Sequence, residues 1–590
     1  MKRSFGLAAV VAIVASVLAA CASTNQSAGL QPGSSLAIGE SGPLIAVNSA
    51  VLAGPNSAQT AYDLAQLTLP AFYSHDANGE LVANTEFGTV TRDDSNNVTY
   101  TLAGKAKWQD GQVVSPADLA VSWMAATDSK VYTLSDGVST RVGFGSSLRL
   151  TALALADKIT ILANGVKLHF SAPVPNWQTV LPLTVPAHLL GQLALPNAGL
   201  SPADAEKKVL DLVTGVTLTH HSEIADAFAN AFTLPTDGSA LDKAKLFSAG
   251  AYRILSATSN KITLTAVPSY AFGPQASVQN LTVNAYASPD DLANAISAKA
   301  IDLSTPVAST ATNLAQLQGK AKDAGLTTSV GDSGKAEVAL LNYGAGSAFN
   351  ASTWGGDATK VKAAREGFFK FLPRAGIWNE LAGDSSIKKT DSLVFDVGSG
   401  DYQTSVERNG SANYQFQDAE ASAEAWQAAK FDRTLKIRVV FDANSARGQL
   451  EYSQLARLGK LGGFDVENDS SDNPAAVLAG GQWDVYLTEQ GRLADDVDAL
   501  ATTVGALTGF QNPAVGSIVS KVASGQNLSK SSAEAKNLDQ LLIQNYYGLP
   551  IFQLERLTVW SSKLRNYSPN STNQSVVWGY SNWSVSGKGK

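Results

Sequence analysis

The stretch that decides the fold runs from Phe247 to Leu303. It opens Phe247-Ser248-Ala249-Gly250-Ala251-Tyr252, continues through Lys261-Ile262-Thr263-Leu264-Thr265-Ala266-Val267, and closes on Ser288-Pro289-Asp290-Asp291 and Ala300-Ile301-Asp302-Leu303. The first piece reads as a tight turn. In the second, Ile262, Leu264 and Ala266 alternate with Lys261, Thr263 and Thr265, the period-2 pattern of a half-buried strand. A loop carrying Pro268, Tyr270, Gly273 and Pro274 leads to a second strand over residues 281–286. Ser288 then supplies an N-cap hydroxyl, Pro289 the first helical position, and Asp290 and Asp291 the first-turn acids. Leu292, Ala295 and Ile296 make the buried stripe of that helix, and residues 300–303 return the chain to a strand.

Working outward, a chain of 590 residues is too long for one core and divides into two or three domains. A net charge of -7, with no basic patch, argues against general nucleic-acid binding. Five histidines and a single cysteine leave little for a metal centre or a thiol mechanism. No Cys-x-x-Cys or His-Glu-x-x-His occurs. His220 and His221 are adjacent, and chain neighbours do not share a helix face, so they read as surface histidines near a helix start. No Gly-x-Ser-x-Gly elbow and no supported Ser-x-x-Lys motif is found. The reading therefore assigns no catalytic residue, no metal and no cofactor.

At the N-terminus, Lys2 and Arg3 precede an uncharged run of 16 residues, Phe5 to Ala20. That is shorter than the roughly 20 residues a membrane-spanning helix needs, and its Ala-rich end suits a signal peptidase. Leu18-Ala19-Ala20-Cys21 resembles the bacterial lipobox. The resemblance implies removal of residues 1–20 and a diacylglycerol on the Cys21 sulfur, which leaves no thiol for a disulfide. Residues 21–42, rich in Ser, Gly, Ala and Gln, read as a flexible tether.

Further motifs punctuate the chain. A turn at His75-Asp76-Ala77-Asn78-Gly79 is followed by Glu80-Leu81-Val82-Ala83. Lys107-Trp108-Gln109-Asp110-Gly111 leads into Val114-Ser115-Pro116-Ala117-Asp118-Leu119, where Asp110-Gly111 is a hairpin turn and Asp118 suits a helix N-terminus. Val185-Pro186-Ala187-His188 carries a histidine with no acid or nucleophile signature nearby, hence a structural one. Ala364-Arg365-Glu366-Gly367-Phe368-Phe369 begins a helical region that reaches Pro373-Arg374. The alternating strand over 435–441, the helix over 447–461, Gly463-Phe464-Asp465-Val466 and Trp483-Asp484-Val485-Tyr486-Leu487 repeat strand–helix–strand, which argues an α/β lobe.

These elements, with Tyr547-Gly548-Leu549-Pro550-Ile551-Phe552-Gln553, resemble in order the solute-binding proteins of peptide and nickel ABC importers, family 5, over about residues 43–570. The resemblance implies a two-lobed periplasmic-binding-protein-like α/β fold with an extra subdomain inserted in the first lobe. Lobe I would comprise residues 43–68, 191–305 and 536–590, the insert 69–190 and lobe II 306–535, with three chain crossings as the hinge. It also implies a monomeric, extracytoplasmic binding protein, anchored to the bacterial cell membrane through Cys21. Such a protein captures short peptides between its lobes and delivers them to a permease and its ATPase.

In the family, an acid shortly after the "Tyr-Asp-x-x-Leu" strand takes the peptide amine. Here that segment reads Thr488-Glu489-Gln490-Gly491-Arg492-Leu493-Ala494-Asp495, so Glu489 and Asp495 are the candidates, and Arg492 is a candidate for an anionic group on the ligand. Trp378 and Trp483 are candidate cleft aromatics, with core packing as the other reading. Three other functions stay open. They are capture of another solute (a sugar, metal chelate or anionic compound), a sensor or adhesin lipoprotein of the same fold, and an exported hydrolase.

Overall fold

The computed structural model describes residues 29–586 apart from 43, 51–54, 76–80, 129–130, 134–139, 143, 145–152, 172–173, 175–176, 217–218, 307–310, 383–387, 431–433, 493–499, 501–503, 506, 524–532 and 570–574. The lipobox, Cys21 and Asp495 lie outside the described residues.

One mixed sheet of ten strands runs through the molecule. In chain order the strands are β1 (Gln31–Ser41), β2 (Tyr252–Thr258), β3 (Lys261–Ala266), β4 (Val278–Tyr286), β5 (Leu303–Ser304), β6 (Thr327–Leu341), β7 (Leu435–Val440), β8 (Phe464–Asn468), β9 (Val485–Gly491) and β10 (Gly548–Trp560). Across the sheet they lie in the order β2-β3-β4-β1-β5-β10-β6-β9-β7-β8. The stretch read first forms the expected strands and helix, with one further strand, β2, that the reading did not name, and with the closing strand starting only at Leu303. In β3 Ile262, Leu264 and Ala266 are buried while their neighbours face outward. The Ser288 hydroxyl caps helix Pro289–Ser297 by accepting from the Asp291 amide. Tyr252 is fully buried and donates its hydroxyl to the Val278 carbonyl at 2.8 Å, tying β2 to β4.

The tether reading fails from Gln31 onward. Residues 31–41 form β1, in the interior of the sheet, parallel to both β4 and β5. Leu36 and Ile38 are its core contribution, and its small residues fit a crowded site. A side-chain carbon on Gly39 would lie 3.0 Å from Ile301 and Leu292. A low-hydrophobicity strand survives here because sheet neighbours on both sides satisfy its backbone.

Two strands join the lobes. β6 and β10 are long (15 and 13 residues) and antiparallel, pairing from Thr327↔Trp560 at one end to Leu340↔Gly548 at the other. The core changes along them. Leu557 and Val559 pack with helices Pro289–Ser297 and Ala311–Asp323, whereas Leu549, Ile551, Phe552 and Leu554 belong to the second-lobe core. The pairing slips between Asp332 and Ala336, at the changeover, so a β-bulge marks the crossing.

This placement corrects the boundaries expected from the sequence. Helix Ala311–Asp323, expected in lobe II, packs on the first-lobe helix Pro289–Ser297. Helix Ala533–Gln544 and the start of β10, largely assigned to lobe I, fill the second-lobe core. Among the described residues the lobes are linked by two strand crossings, not three.

The inserted subdomain contains a four-stranded antiparallel sheet of residues 88–92, 97–102, 165–170 and 156–162. Helix Pro116–Thr127 begins with a capping box in which Ser115 and Asp118 satisfy each other's backbone amides. Buried Asp118 also accepts from Trp108 Nε1 at 3.0 Å and from the Ala187 amide at 2.7 Å. The structural reading of Asp118 is therefore right, and the Trp-x-Asp-Gly motif has its reason. Trp108 stands edge-on to Phe247, so insert and first lobe share one continuous core. The surface reading changes for His221, and His188, structural as expected, proves to have an acid beside it. His188 is buried and pairs with Asp110 at 2.7 Å. His221 is buried beside Asp128, while His220 stays half-exposed in a left-handed turn.

Candidate functional site

The site is built on the bulged crossing. From Lys335 onward β6 pairs in regular register with β9, placing Glu337 directly opposite Glu489 and Lys335 opposite Gly491. Strand alternation puts Lys335, Glu337 and Glu489 on one face of the sheet. Two facing carboxylates repel, and helix Ala446–Leu458, lying over that face, supplies the counter-charge. Arg447 places Nε 2.8 Å from Glu337 Oε2 and donates Nη2 to Glu489 Oε1 at 2.6 Å. Lys335 donates Nζ to Glu489 Oε2 at 3.0 Å. One helical turn after Arg447, Glu451 brings a third carboxylate, fully buried.

The environments separate the three acids. Burial works to raise Glu489, but the Lys335 and Arg447 cations outweigh it and hold the carboxyl at about 2. Glu337, only 3 % exposed, is pushed up to about 7 by loss of water, with Arg447 pulling it back and Glu489 adding to the rise. Glu451 is raised well above the usual range, by burial first and by Glu337 second. On the first-lobe side of the crossing, Arg556 lies near Tyr567, Asp63 and Asp332, and buried Glu40 is raised by burial and by Asp63.

Each ligand-binding candidate among the described residues now has a place. Glu489 stands at the lobe junction with a 38 % exposed side chain and two cationic partners. Arg492 is corrected: its side chain is fully buried and out of reach of a ligand. Nη1 donates to Thr390 Oγ1 at 3.2 Å and to the Phe395 carbonyl at 3.0 Å, Nη2 donates to the Lys335 carbonyl at 3.2 Å, and Nε lies 3.4 Å from Asp396. Trp483 is also corrected. It is 1 % exposed and edge-on to Tyr486, a core residue. Trp378 packs half-buried on the second-lobe core with the Lys389 ammonium 4.5 Å from its ring centroid.

The arginines of the Phe-Phe-Lys motif are scaffolding. Arg365 stacks on Tyr343 at 4.0 Å and donates to the Phe349 carbonyl. Arg374 gathers the Tyr414 and Thr390 carbonyls and Asp391. Sequence reasoning missed Lys335, Glu337, Arg447 and Glu451. The signal was there: two charges at i, i+2 entering an apolar strand, and an Arg–Glu pair at i, i+4 on the following helix. Among the described residues no group of three His, Cys, Asp or Glu is arranged to hold a metal ion.

The family model for bacterial extracellular solute-binding proteins, family 5, matches residues 83–512, well over half of the chain. The chain belongs to that family, the solute-binding proteins of the ABC-importer type, whose members are binding proteins rather than enzymes. An uncharacterised lipoprotein of Mycobacterium leprae is 21 % identical over 541 residues, covering 88 % of each chain. Among solved structures, the periplasmic EDTA-binding protein EppA has a TM-score of 0.68 at 16 % identity, covering 95 % of this chain and 98 % of its own. The Bacillus subtilis oligopeptide-binding protein AppA, in complex with a nonapeptide, has a TM-score of 0.62 at 12 % identity, covering 94 % and 100 %. Both likenesses support the two-lobed binding-protein fold.

Proposed function

We propose that this protein captures short peptides between its two lobes and hands them to an ABC permease, while held to the outer face of the cell membrane by a lipid on Cys21. The observation that carries the reading is the pair of long strands, β6 and β10, that cross between two separately cored lobes at a bulge. Such a crossing bends without unfolding either core, which is the mechanical requirement for closing around a solute. Its likeness to AppA with its nonapeptide supports a peptide as that solute, and extended peptides are held chiefly through main-chain hydrogen bonds. The lipoprotein relative supports the anchor.

A second reading, an anionic solute or chelate, draws support from Glu489, whose charge Lys335 and Arg447 already balance, and from the likeness to the EDTA-binding protein. Native mass spectrometry of residues 22–590, purified from cells grown in rich medium, separates the two. Co-purifying di- to pentapeptide masses, lost on mild unfolding, support peptide capture; Glu489→Gln and Asp495→Asn then ask which acid holds the amine. An empty protein that gains no thermal stability from a peptide library overturns it, and sugars, chelates and anions become the ligands to test.

A further inference from the structure

The buried end of the charged cluster has a charge imbalance that the binding function does not use. Three carboxylates (Glu337, Glu451, Glu489) face two cations (Lys335, Arg447). Glu489 is fully engaged by both cations. That leaves Glu337 and Glu451 to share what remains of Arg447, in a place water does not reach: their side chains are 3 % and 0 % exposed. Both Glu451 oxygens are buried without an N–H donor satisfying them, and Glu337 Oε2 has only Arg447 Nε, at 2.8 Å, beside it. Glu337 and Glu451 lie within hydrogen-bonding reach of each other, and two bare carboxylates so placed and so dry are not tolerated; one proton between them removes the excess charge and makes one acid the donor to the other.

We propose that Glu337 and Glu451 share a single proton that clasps helix Ala446–Leu458 to the crossing strand β6, making the second lobe's attachment at the hinge sensitive to pH. The other titratable groups around the pair are Lys335 on β6, Glu489 and Tyr486 on β9, Arg447 on the helix itself and Asp442 in the turn before it. Glu380, on helix Arg374–Ala382, meets the same helix one turn further on, through Gln454. Of these, only Arg447 is held against the pair, and it is already divided between Glu337 and Glu489.

The sign follows from geometry and linkage together. Both acids bind their proton more tightly folded than unfolded, through burial first, with the Glu489 charge adding to the rise of Glu337 and Glu337 adding to that of Glu451. The stabilisation is therefore complete below the usual glutamate range and is withdrawn as pH rises through about 7 and beyond.

Thermal unfolding between about pH 5 and about pH 9 tests this, with wild type and Glu451→Gln compared. The amide keeps a hydrogen-bond donor at all pH values. The wild type is expected to lose several degrees of Tm as pH rises, and the variant to lose markedly less. Parallel profiles overturn the proposal. Should Glu451→Gln fail to fold, infrared spectra of the wild-type protein decide. A protonated-carboxylic-acid carbonyl band present near neutral pH and bleached on alkalinisation supports the shared proton, and its absence near neutral pH overturns it.

Discussion

Arg492 illustrates how a residue that looks like a ligand contact in the sequence becomes structural in the fold. Its guanidinium joins the Thr390 hydroxyl, the Phe395 carbonyl and the Asp396 carboxylate to the backbone of the crossing strand, with no exposed surface. Removing one partner of a buried charged network strands the rest, at a cost of roughly 3–5 kcal/mol. Chemical denaturation of Arg492→Ala is expected to show a loss of that order. Arg492→Lys is expected to recover little of it, because a single ammonium cannot span the Thr390, Phe395, Lys335 and Asp396 positions at once.

Glu489 behaves differently, since it keeps a foot in water. Its folded carboxyl sits at about 2, below the usual 4.5, so its contribution is present above the usual glutamate range and disappears as pH falls through about 2. Glu489→Gln is expected to cost roughly 1 kcal/mol near neutral pH, a figure reduced for the exposed edge of the pair, with the two stability curves converging in acid. A variant that stays less stable by a constant amount down to about pH 2 would contradict the ion-pair account.

At the scale of elements, two glycines mark places where backbone needs to come close or turn left-handed. Gly250, in the turn that opens the deciding stretch, lies against helix Pro55–Thr68: a side-chain carbon there would be 2.5 Å from the Thr68 carbonyl carbon. Gly250→Ala forces turn and helix end apart and is expected to lower stability by about 1–3 kcal/mol, read by thermal or chemical unfolding. Gly334 sits in the β6 bulge at φ 71°, its amide donating to Asp332 Oδ1 and its carbonyl accepting from the Arg492 amide. Gly334→Ala strains that bulge by about 1 kcal/mol. If the bulge is the hinge, the variant's fractional loss of ligand affinity should exceed its loss of Tm; an unchanged affinity would move the hinge elsewhere along β6 and β10.

Most elements were legible because their signals are local. The N-cap, proline and acids of Ser288–Asp291 specify a helix start with no help from the rest of the chain, and Asp118 with Trp108 announces a capped helix tied to its hairpin. β1 was not legible. Only Leu36 and Ile38 mark it as core, and what makes it a strand is a partner on either side, one of them some 240 residues away in sequence (Ile38↔Val283).

At the scale of the molecule, the two crossing strands join lobes that have their own cores, so ligand should stabilise both together. At a hundredfold excess over Kd the gain is about 2.7 kcal/mol. Calorimetry of the protein with its identified ligand is expected to show a raised Tm, and small-angle scattering a smaller radius of gyration. A raised Tm with no compaction would mean capture without lobe closure.

What the sequence by itself determined is the family, the order of elements and the scaffold role of its capped helices, because each rests on residues close together in the chain. The lobe boundaries, the burial of Arg492 and Trp483, and the cluster of Lys335, Glu337, Arg447, Glu451 and Glu489 were decided only by tertiary structure. Those features depend on strands β6, β9 and helix Ala446–Leu458 meeting across more than a hundred residues of chain. Charge balance and burial are properties of that meeting; the local charge pattern marks the residues but not their pairing.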